Sequence, residues 1–203
     1  MRVFVAGGAG VLGRRLVPRL VARGHQVTGT TTSAAKLGLW AALTIRLRTE
    51  GTDHLLAAAE AAGVPRFVAQ GHAHCNGIRE GGWVKTEEHP LEVGDGTGYA
   101  SWVHLDDAAS ATVLVVEQRA RGAFGIVDDE PAPESAWQPH PAACAGAKPW
   151  MRVPKWPARL PAGEAVVTMT TEGRGFSNAR AERERRRQLR CPSWRQGFRE
   201  GLA

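Results

Sequence analysis

The first thirty residues combine short apolar runs with a glycine-rich turn. Residues 2–6 are an apolar run that predicts a strand, and four glycines follow within the next seven positions. Apolar residues then recur at helical spacing over 11–23, and Gly24 is placed to end that helix. Residues 25–30 predict a second strand. The order strand, glycine turn, helix, strand predicts a βαβ unit with parallel strands.

Hydrophobic periodicity predicts five more elements further along the chain. They are a helix over 49–63, a strand over 64–70, a helix over 102–120, a strand over 122–130 and a helix over 178–190. Residues 131–163 are rich in Pro, Ala and Trp, and their pattern leaves the regular structure of this segment open. Strands that alternate with helices predict the α/β class.

The glycine-rich turn carries the clearest chemical signal in the chain. Its glycines follow the pattern G-G-x-G-x-x-G and stand at Gly7, Gly8, Gly10 and Gly13. Gly7 permits a tight turn off the strand, Gly10 lets the backbone approach a pyrophosphate, and Gly13 lets the helix pack close to the strand. Free N–H groups at the helix N-terminus would bind that pyrophosphate. The turn therefore predicts a dinucleotide-binding site.

Blocks along the whole chain resemble the NAD-dependent epimerase/dehydratase family, the extended type of short-chain dehydrogenase/reductase. These blocks are the cofactor turn over 3–27, the segment 49–70, the acidic-proline loop 85–91, the V-H-L-D-D segment within 101–111, and the segments 177–184 and 192–202. The resemblance implies a Rossmann-like parallel sheet with flanking helices and a small C-terminal substrate lobe. It implies an NAD(P)-binding region over 1–92, a C-terminal region over 93–203, and oxidoreductase activity on a small carbonyl/alcohol or sugar-like substrate.

The expected cofactor is NADP or NAD. The predicted cofactor-binding residues are Gly7, Gly8, Ala9, Gly10, Val11, Leu12, Gly13, Thr32 and Ser33. In this fold an acid after the second strand binds the ribose hydroxyls of NAD, and this chain has no acid there. Four hydroxyl residues at 30–33, with Lys36 nearby, could instead bind the 2′-phosphate of NADP. The same hydroxyls could equally cap the next helix, so the preference for NADP is open.

Two places in the chain are shorter than the resemblance requires. Only the eighteen residues 31–48 lie between the second strand and the next helix, where a complete fold has a strand, a helix and another strand. A second gap follows Leu91, where the family carries its Tyr-x-x-x-Lys helix. We therefore expect a sheet that lacks its third and fourth strands. The exposed sheet edge predicts poor solubility or pairing with another chain.

The catalytic pair of the family is not found in this sequence. Tyr99 is the single tyrosine, and Val103 stands where the lysine of the motif would be. Lys85 belongs to the acidic-proline loop and is interpreted as a solvated surface residue. Two hypotheses stay open: an oxidoreductase of this family, or a catalytically inactive relative that binds or senses the cofactor. No catalytic residue is assigned.

Two clusters of potential ligands and acids are interpreted as non-catalytic. His72, His74 and Cys75 offer zinc-binding chemistry, but no second pair with ligand spacing follows, so no metal site is predicted. Because this cluster follows a predicted strand, we expect it to line the ligand crevice. Asp106 and Asp107 begin a predicted helix, and we expect one of them to cap it.

Composition and charge narrow the class of protein. The 203 residues are 43% hydrophobic and 23% charged, which is typical of a globular protein. The sequence has no apolar run long enough to span a membrane, and three scattered cysteines predict a reducing cytoplasm. Much of the net charge of +6 lies in residues 180–190, which we interpret as a solvated helix face with internal ion pairs and not as a nucleic-acid surface.

Overall fold

The computed structural model divides the chain into two compact units, Met1–Gln70 and Gly71–Ala203. The residues it describes are 1–30, 50–71, 84–85, 98–147, 172–185 and 188–202. The domain boundary predicted after residue 92 lies outside the described residues and stays a prediction. No helix within the described ranges is long and apolar enough to cross a membrane.

The first unit begins with the predicted βαβ arrangement. Strand β1 covers Arg2–Val5, helix α1 covers Gly13–Ala22, and strand β2 covers Gln26–Gly29. The two strands are parallel, with Arg2 opposite Gln26 and Val5 opposite Gly29. A helical connection is what a parallel strand pair requires, so the sequence-based prediction of this unit is confirmed.

Helix α1 forms because its apolar residues lie on one face. Leu16 and Leu20 are four residues apart and keep 7% and 0% of their surface exposed. Pro18 lies inside the helix and removes one backbone N–H donor, yet the helix continues to Ala22. Gly24 has a φ of +77°, in the left-handed region, at the position where the sequence predicts the helix to end.

Helix α2 covers Glu50–Ala61 and confirms the helix predicted over 49–63. The strand predicted over 64–70 is wrong, because this segment joins no β-ladder among the described residues. Val64, Phe67 and Val68 keep 48%, 41% and 46% of their surface exposed. Apolar residues at strand spacing form a strand only beside a neighbouring strand, and in this unit the described ladder joins β1 to β2 alone.

The second unit contains two short strand pairs and five helices among its described residues. Strand β3 (Val84–Lys85) pairs in parallel with β6 (Gly175–Phe176), and β4 (Tyr99–Ala100) pairs in antiparallel fashion with β5 (Ala132–Pro133). The helices are α3 (Leu105–Glu117), α4 (Glu134–Trp137), α5 (Pro139–Cys144), α6 (Ala179–Arg185) and α7 (Trp194–Leu202). Its buried apolar side chains include Ala109, Val113, Val127, Phe176, Ala181, Cys191 and Trp194.

The strand predicted over 122–130 and the start of the helix predicted at 102 are both wrong. The backbone N–H of Asp128 donates to the carbonyl of Trp102 at 2.6 Å, and that of Asp129 donates to the carbonyl of Pro192 at 3.0 Å. Residues 122–130 make these single hydrogen bonds and join no ladder. The bond from Asp128 ties Trp102 to a non-helical segment, and α3 begins at Leu105.

Helix α7 is absent from the sequence-based prediction, although its start carries a recognisable cap. The Ser193 hydroxyl accepts a hydrogen bond from the N–H of Arg195 at 3.1 Å. Glu130 fixes the same turn, because its carboxylate accepts from the Ser193 hydroxyl at 2.5 Å and from Nε of Arg195 at 2.9 Å. The helix predicted over 178–190 is confirmed as α6, while residues 188–190 are not helical.

Candidate functional site

The glycine turn is tied to the end of β2 by its own backbone. Gly7 has a φ of +78°, which favours glycine, and its carbonyl accepts from the N–H of Gly10 at 2.8 Å. The N–H of Gly8 donates to the carbonyl of Thr30 at 2.8 Å. The Thr30 hydroxyl accepts from the N–H of Gly7 at 3.4 Å. Thr30, one of the hydroxyl residues expected to bind a 2′-phosphate, therefore contacts the turn itself.

Gly13 allows α1 to begin directly on the turn. A Cβ atom at this position would lie 2.4 Å from the Gly7 carbonyl oxygen and 2.5 Å from that of Gly8. Both distances are too short for any side chain, so only glycine fits without a backbone shift. This close contact between the helix start and the turn agrees with the packing role predicted for Gly13.

The N-terminus of α1 carries the partial positive charge of the helix dipole, and the first turn of the helix contains no acid. Leu12 stands at the N-cap position, and no side chain caps it. Arg14 adds a positive charge there, and its Nε donates to the Ala9 carbonyl at 2.8 Å, which holds the guanidinium beside the turn. A helix N-terminus with these properties is suited to bind an anion such as a phosphate.

Seven of the nine predicted cofactor residues lie together in the described structure. They are Gly7, Gly8, Ala9, Gly10, Val11, Leu12 and Gly13, which form the turn after β1 and the first residue of α1. Thr32 and Ser33, on which the choice between NADP and NAD depends, lie outside the described residues. The assignment of all nine to a cofactor stays a prediction.

The structure places the candidate catalytic residues only in part. Tyr99 lies on β4, where its N–H donates to the carbonyl of Gly173 at 2.6 Å and its backbone pairs with Pro133. His72, His74 and Cys75 lie outside the described residues.

The V-H-L-D-D segment anchors a distant part of the same unit. Both oxygens of the Asp107 carboxylate are used: Oδ1 accepts from the N–H of Arg190 at 2.8 Å and Oδ2 from that of Cys191 at 3.0 Å. Asp107 is 3% exposed. The Asp106 carboxylate accepts from Nη1 of Arg190 at 3.0 Å. The structural role expected for the two acids therefore agrees with their contacts.

The expectation that one of these two acids caps α3 is wrong. The N-cap residue is His104, whose Nδ1 accepts from the N–H of Asp106 at 3.3 Å. Neither acid caps the helix, because the Asp107 carboxylate binds the backbone of residues 190–191 and the Asp106 carboxylate binds the Arg190 side chain.

Asp128 is a buried acid that the sequence analysis missed. It is 2% exposed, its Oδ1 accepts from the N–H of Glu130 at 3.3 Å, and Oδ2 has no hydrogen-bond partner among the described residues. Burial raises the pKa of Asp128 to about 7, while backbone hydrogen bonds from Glu130 and Trp194 lower it in part. The signal in the sequence is an acid placed directly after the apolar run 124–127.

Replacing Asp128 with asparagine should remove part of the pH dependence of stability. The native acid has a pKa of about 7 and the unfolded acid one of 3.8, so between these values the native state binds more protons. The stability of the wild-type protein should therefore fall as the pH rises from about 4 to about 7. Asp128→Asn cannot ionise, so its free energy of unfolding should exceed that of the wild type increasingly towards pH 8.

Urea unfolding of both proteins at several pH values between 5 and 8 measures this difference. The same substitution at the exposed Asp53, in the first turn of α2, is the control and should leave the profile of the wild type unchanged. A constant difference between Asp128→Asn and the wild type across this range would contradict the prediction.

Aromatic side chains pack around the start of α7. The ring of Trp102 lies 4.4 Å from that of Trp137 and 5.3 Å from that of Phe198, in edge-to-face arrangements. The rings of Trp194 and His140 are 5.1 Å apart. Such pairs contribute about 0.5–1.5 kcal/mol each beyond the burial of their area. The interpretation of the tryptophans as packing residues is supported at these three positions.

The chain is similar in sequence to a curated reductase. No family model matches the chain. The curated relative is the 3-diazoavenalumate denitrifying reductase of a Streptomyces species, which is 30% identical over 301 residues and is matched across 98% of this chain and 99% of its own length. The matched span exceeds the 203 residues of this chain by about a hundred, so internal segments of the relative have no counterpart here.

Two solved structures are similar to this chain in fold. The human epimerase family protein SDR39U1 (isoform 2), with NADPH, has a TM-score of 0.71, 17% identity, and coverage of 100% of this chain and 99% of its own. A short-chain dehydrogenase/reductase superfamily protein from Agrobacterium tumefaciens, with bound NAD, has a TM-score of 0.68, 17% identity, and coverage of 100% and 96%. The fold is therefore the Rossmann-like α/β type predicted from the sequence, and the chain is an internally shortened member of the epimerase-type short-chain dehydrogenase/reductase family.

Proposed function

We propose that this chain binds a nicotinamide dinucleotide through the turn over residues 7–13 and acts as an oxidoreductase on a small carbonyl or alcohol substrate. The observation that carries the proposal is the start of α1, where the helix N-terminus packs on the glycine turn without an acidic cap. The NADPH and NAD in the two similar structures, and the reductase activity named for the curated relative, support the same cofactor class.

Arg14 has a specific role in this proposal. Its guanidinium is held at the turn by the hydrogen bond to the Ala9 carbonyl, and its side chain is exposed. A fixed positive charge beside the helix N-terminus attracts the negative charges of a pyrophosphate. Since the guanidinium is already oriented, little conformational entropy is lost when a phosphate binds.

Fluorescence titration with NADPH and with NADH tests the proposal. We expect saturable binding of at least one of them, with NADPH the tighter ligand if the hydroxyl residues at 32–33 select the 2′-phosphate. Arg14→Ala should weaken binding by about five- to tenfold, or about 1–1.4 kcal/mol, and the effect should shrink at high salt. Absence of binding at millimolar cofactor would refute the proposed function.

Arg23→Ala is the matched control for this titration. Arg23 stands at the other end of α1, about 14 Å along the helix axis from Arg14, and should leave the affinity unchanged. An equal loss in both variants would mean that the net charge of the protein acts on the cofactor, and it would contradict the specific role of Arg14.

A second candidate function is a catalytically inactive relative that binds the cofactor without turning it over. The sequence favours it, because the only tyrosine is Tyr99 and no lysine follows it at the spacing of the motif. A screen of carbonyl substrates, followed by the loss of NADPH absorbance, separates the two candidates. Turnover supports the oxidoreductase, while cofactor binding without turnover across the screen supports the inactive relative.

A further inference from the structure

We propose that His104, Asp107 and Cys191 form a structural zinc site that fastens the turn before α7 to the start of α3. Each residue offers one ligand atom, and these three atoms all lie within 4.8 Å of one another. His104 and Asp107 are separated by one helical turn, whereas Cys191 comes from 84 residues further along the chain than Asp107. No motif in the sequence could therefore have revealed this group.

The spacing of the three atoms is close to that of a tetrahedral site. Zinc bonds of about 2.3 Å to sulfur and about 2.0 Å to nitrogen or oxygen place neighbouring ligand atoms about 3.3–3.5 Å apart. The observed limit of 4.8 Å requires the ligand atoms to approach one another by at most about 1.3–1.5 Å, which side-chain rotations can supply. The fold itself therefore brings the group together, because backbone hydrogen bonds from residues 190–191 already hold Asp107.

The donor types also fit zinc. A thiolate, an imidazole and a carboxylate are all zinc ligands, and the thiolate selects against magnesium and calcium. The two backbone N–H groups on Asp107 would orient its carboxylate as outer partners of a metal ligand do. A metal on Nδ1 of His104 would replace the 3.3 Å cap bond from the N–H of Asp106, which is long for a hydrogen bond, and the 3.9 Å contact with the Asp106 carboxylate.

Glu200 supplies a candidate for the fourth ligand. Its Oε2 lies 3.8 Å from Sγ of Cys191. The same oxygen is 3.6 Å from Nη2 of Arg190, in a pair whose side chains are 62% and 40% exposed. Exposed pairs of this kind hold their partners weakly, so Glu200 is able to exchange Arg190 for a metal ion. Four protein ligands are typical of a structural zinc site, which leaves no open position for chemistry.

Titration of the metal-free full-length protein with Co²⁺ tests the site. Cobalt replaces zinc in such sites and gives a thiolate-to-cobalt charge-transfer absorption when sulfur is a ligand. We expect this absorption to saturate at one cobalt per chain and to be displaced by zinc. Cys191→Ser should abolish it, and His104→Asn should lower the cobalt affinity at least tenfold while asparagine keeps the cap of α3.

The other two cysteines provide the controls. Cys144→Ser is the matched one, since the Cys144 thiol also contacts an imidazole, that of His140 at 3.4 Å, but belongs to no group of three ligands in the described structure. Cys75→Ser removes the thiol of the H-A-H-C segment. Both variants should keep the full absorption.

Three results would overturn the proposal: no charge-transfer absorption in the wild type, unchanged absorption in Cys191→Ser, or loss of the absorption in Cys75→Ser alone. Far-ultraviolet circular dichroism of each variant checks that it is folded. A second measurement does not depend on any variant: zinc should raise the unfolding temperature of the wild-type protein in a concentration-dependent manner, because it binds the native state. An unfolding temperature that zinc leaves unchanged contradicts the proposal equally.

Discussion

Asp107→Ala should lower the free energy of unfolding of the metal-free protein by about 2–5 kcal/mol, because it leaves two backbone N–H groups of the 190–191 turn without their acceptor. Hydrogen bonds to an ionised acceptor are stronger than neutral ones, and Asp107 is 3% exposed, so water cannot readily replace the lost carboxylate. Urea unfolding followed by tryptophan fluorescence measures the change, since Trp194 lies close to this turn in the sequence and is 3% exposed.

Asp106→Ala is the control at the adjacent position. Asp106 pairs with Arg190 through side chains that are 21% and 62% exposed, and such pairs contribute about 0–1 kcal/mol. Each variant removes one carboxylate, and the two positions are adjacent. A large difference between their free energies of unfolding therefore reports the hydrogen bonds that Asp107 accepts from the backbone. Equal losses would contradict the role assigned to Asp107.

Gly13→Ala should weaken dinucleotide binding by at least tenfold and should also destabilise the first unit by about 1–3 kcal/mol. The added Cβ would lie 2.4 Å from the Gly7 carbonyl oxygen, so the helix and the turn have to move apart. A displacement of this kind disturbs the N–H groups that would bind the pyrophosphate. Titration with NADPH measures the first effect, and urea unfolding measures the second.

Gly201→Ala is the matched control for the glycine substitution. It lies in α7, and a Cβ there meets nothing within 4 Å. Alanine is the better helix former, so this variant should bind the cofactor like the wild type and be at least as stable. Cofactor affinity that is unchanged in Gly13→Ala would show that the turn does not bind the dinucleotide.

The parts of the fold that local sequence determines were predictable. The turn over 7–13, helix α1 and β2 follow from neighbouring residues, because the glycine spacing and the apolar face of α1 act within about twenty positions of one another. The resemblance of separate blocks of the chain to one family also predicted that the chain is shortened internally. The curated relative agrees with this prediction, because its matched span is longer than this chain.

The predictions that failed concern residues whose partners are remote in sequence. Residues 64–70 have strand-like apolar spacing, but a strand needs a neighbour, and no local pattern shows whether that neighbour exists. The N–H of Asp128 bonds to the carbonyl of Trp102 across 26 positions, a contact that no local pattern at 122–130 or at 102 shows. The grouping of His104, Asp107 and Cys191 depends on the same kind of distant contact.

The bonds from Asp107 to residues 190 and 191 also affect the order of events during synthesis of the protein. The βαβ unit over 2–29 can pair its strands once that short stretch has left the ribosome. The Asp107 carboxylate, by contrast, has to wait for partners 83 and 84 positions later, and closing so long a loop is slow. During translation, the second unit should therefore expose its apolar residues until residues 190–202 emerge, and in this interval it depends most on chaperones.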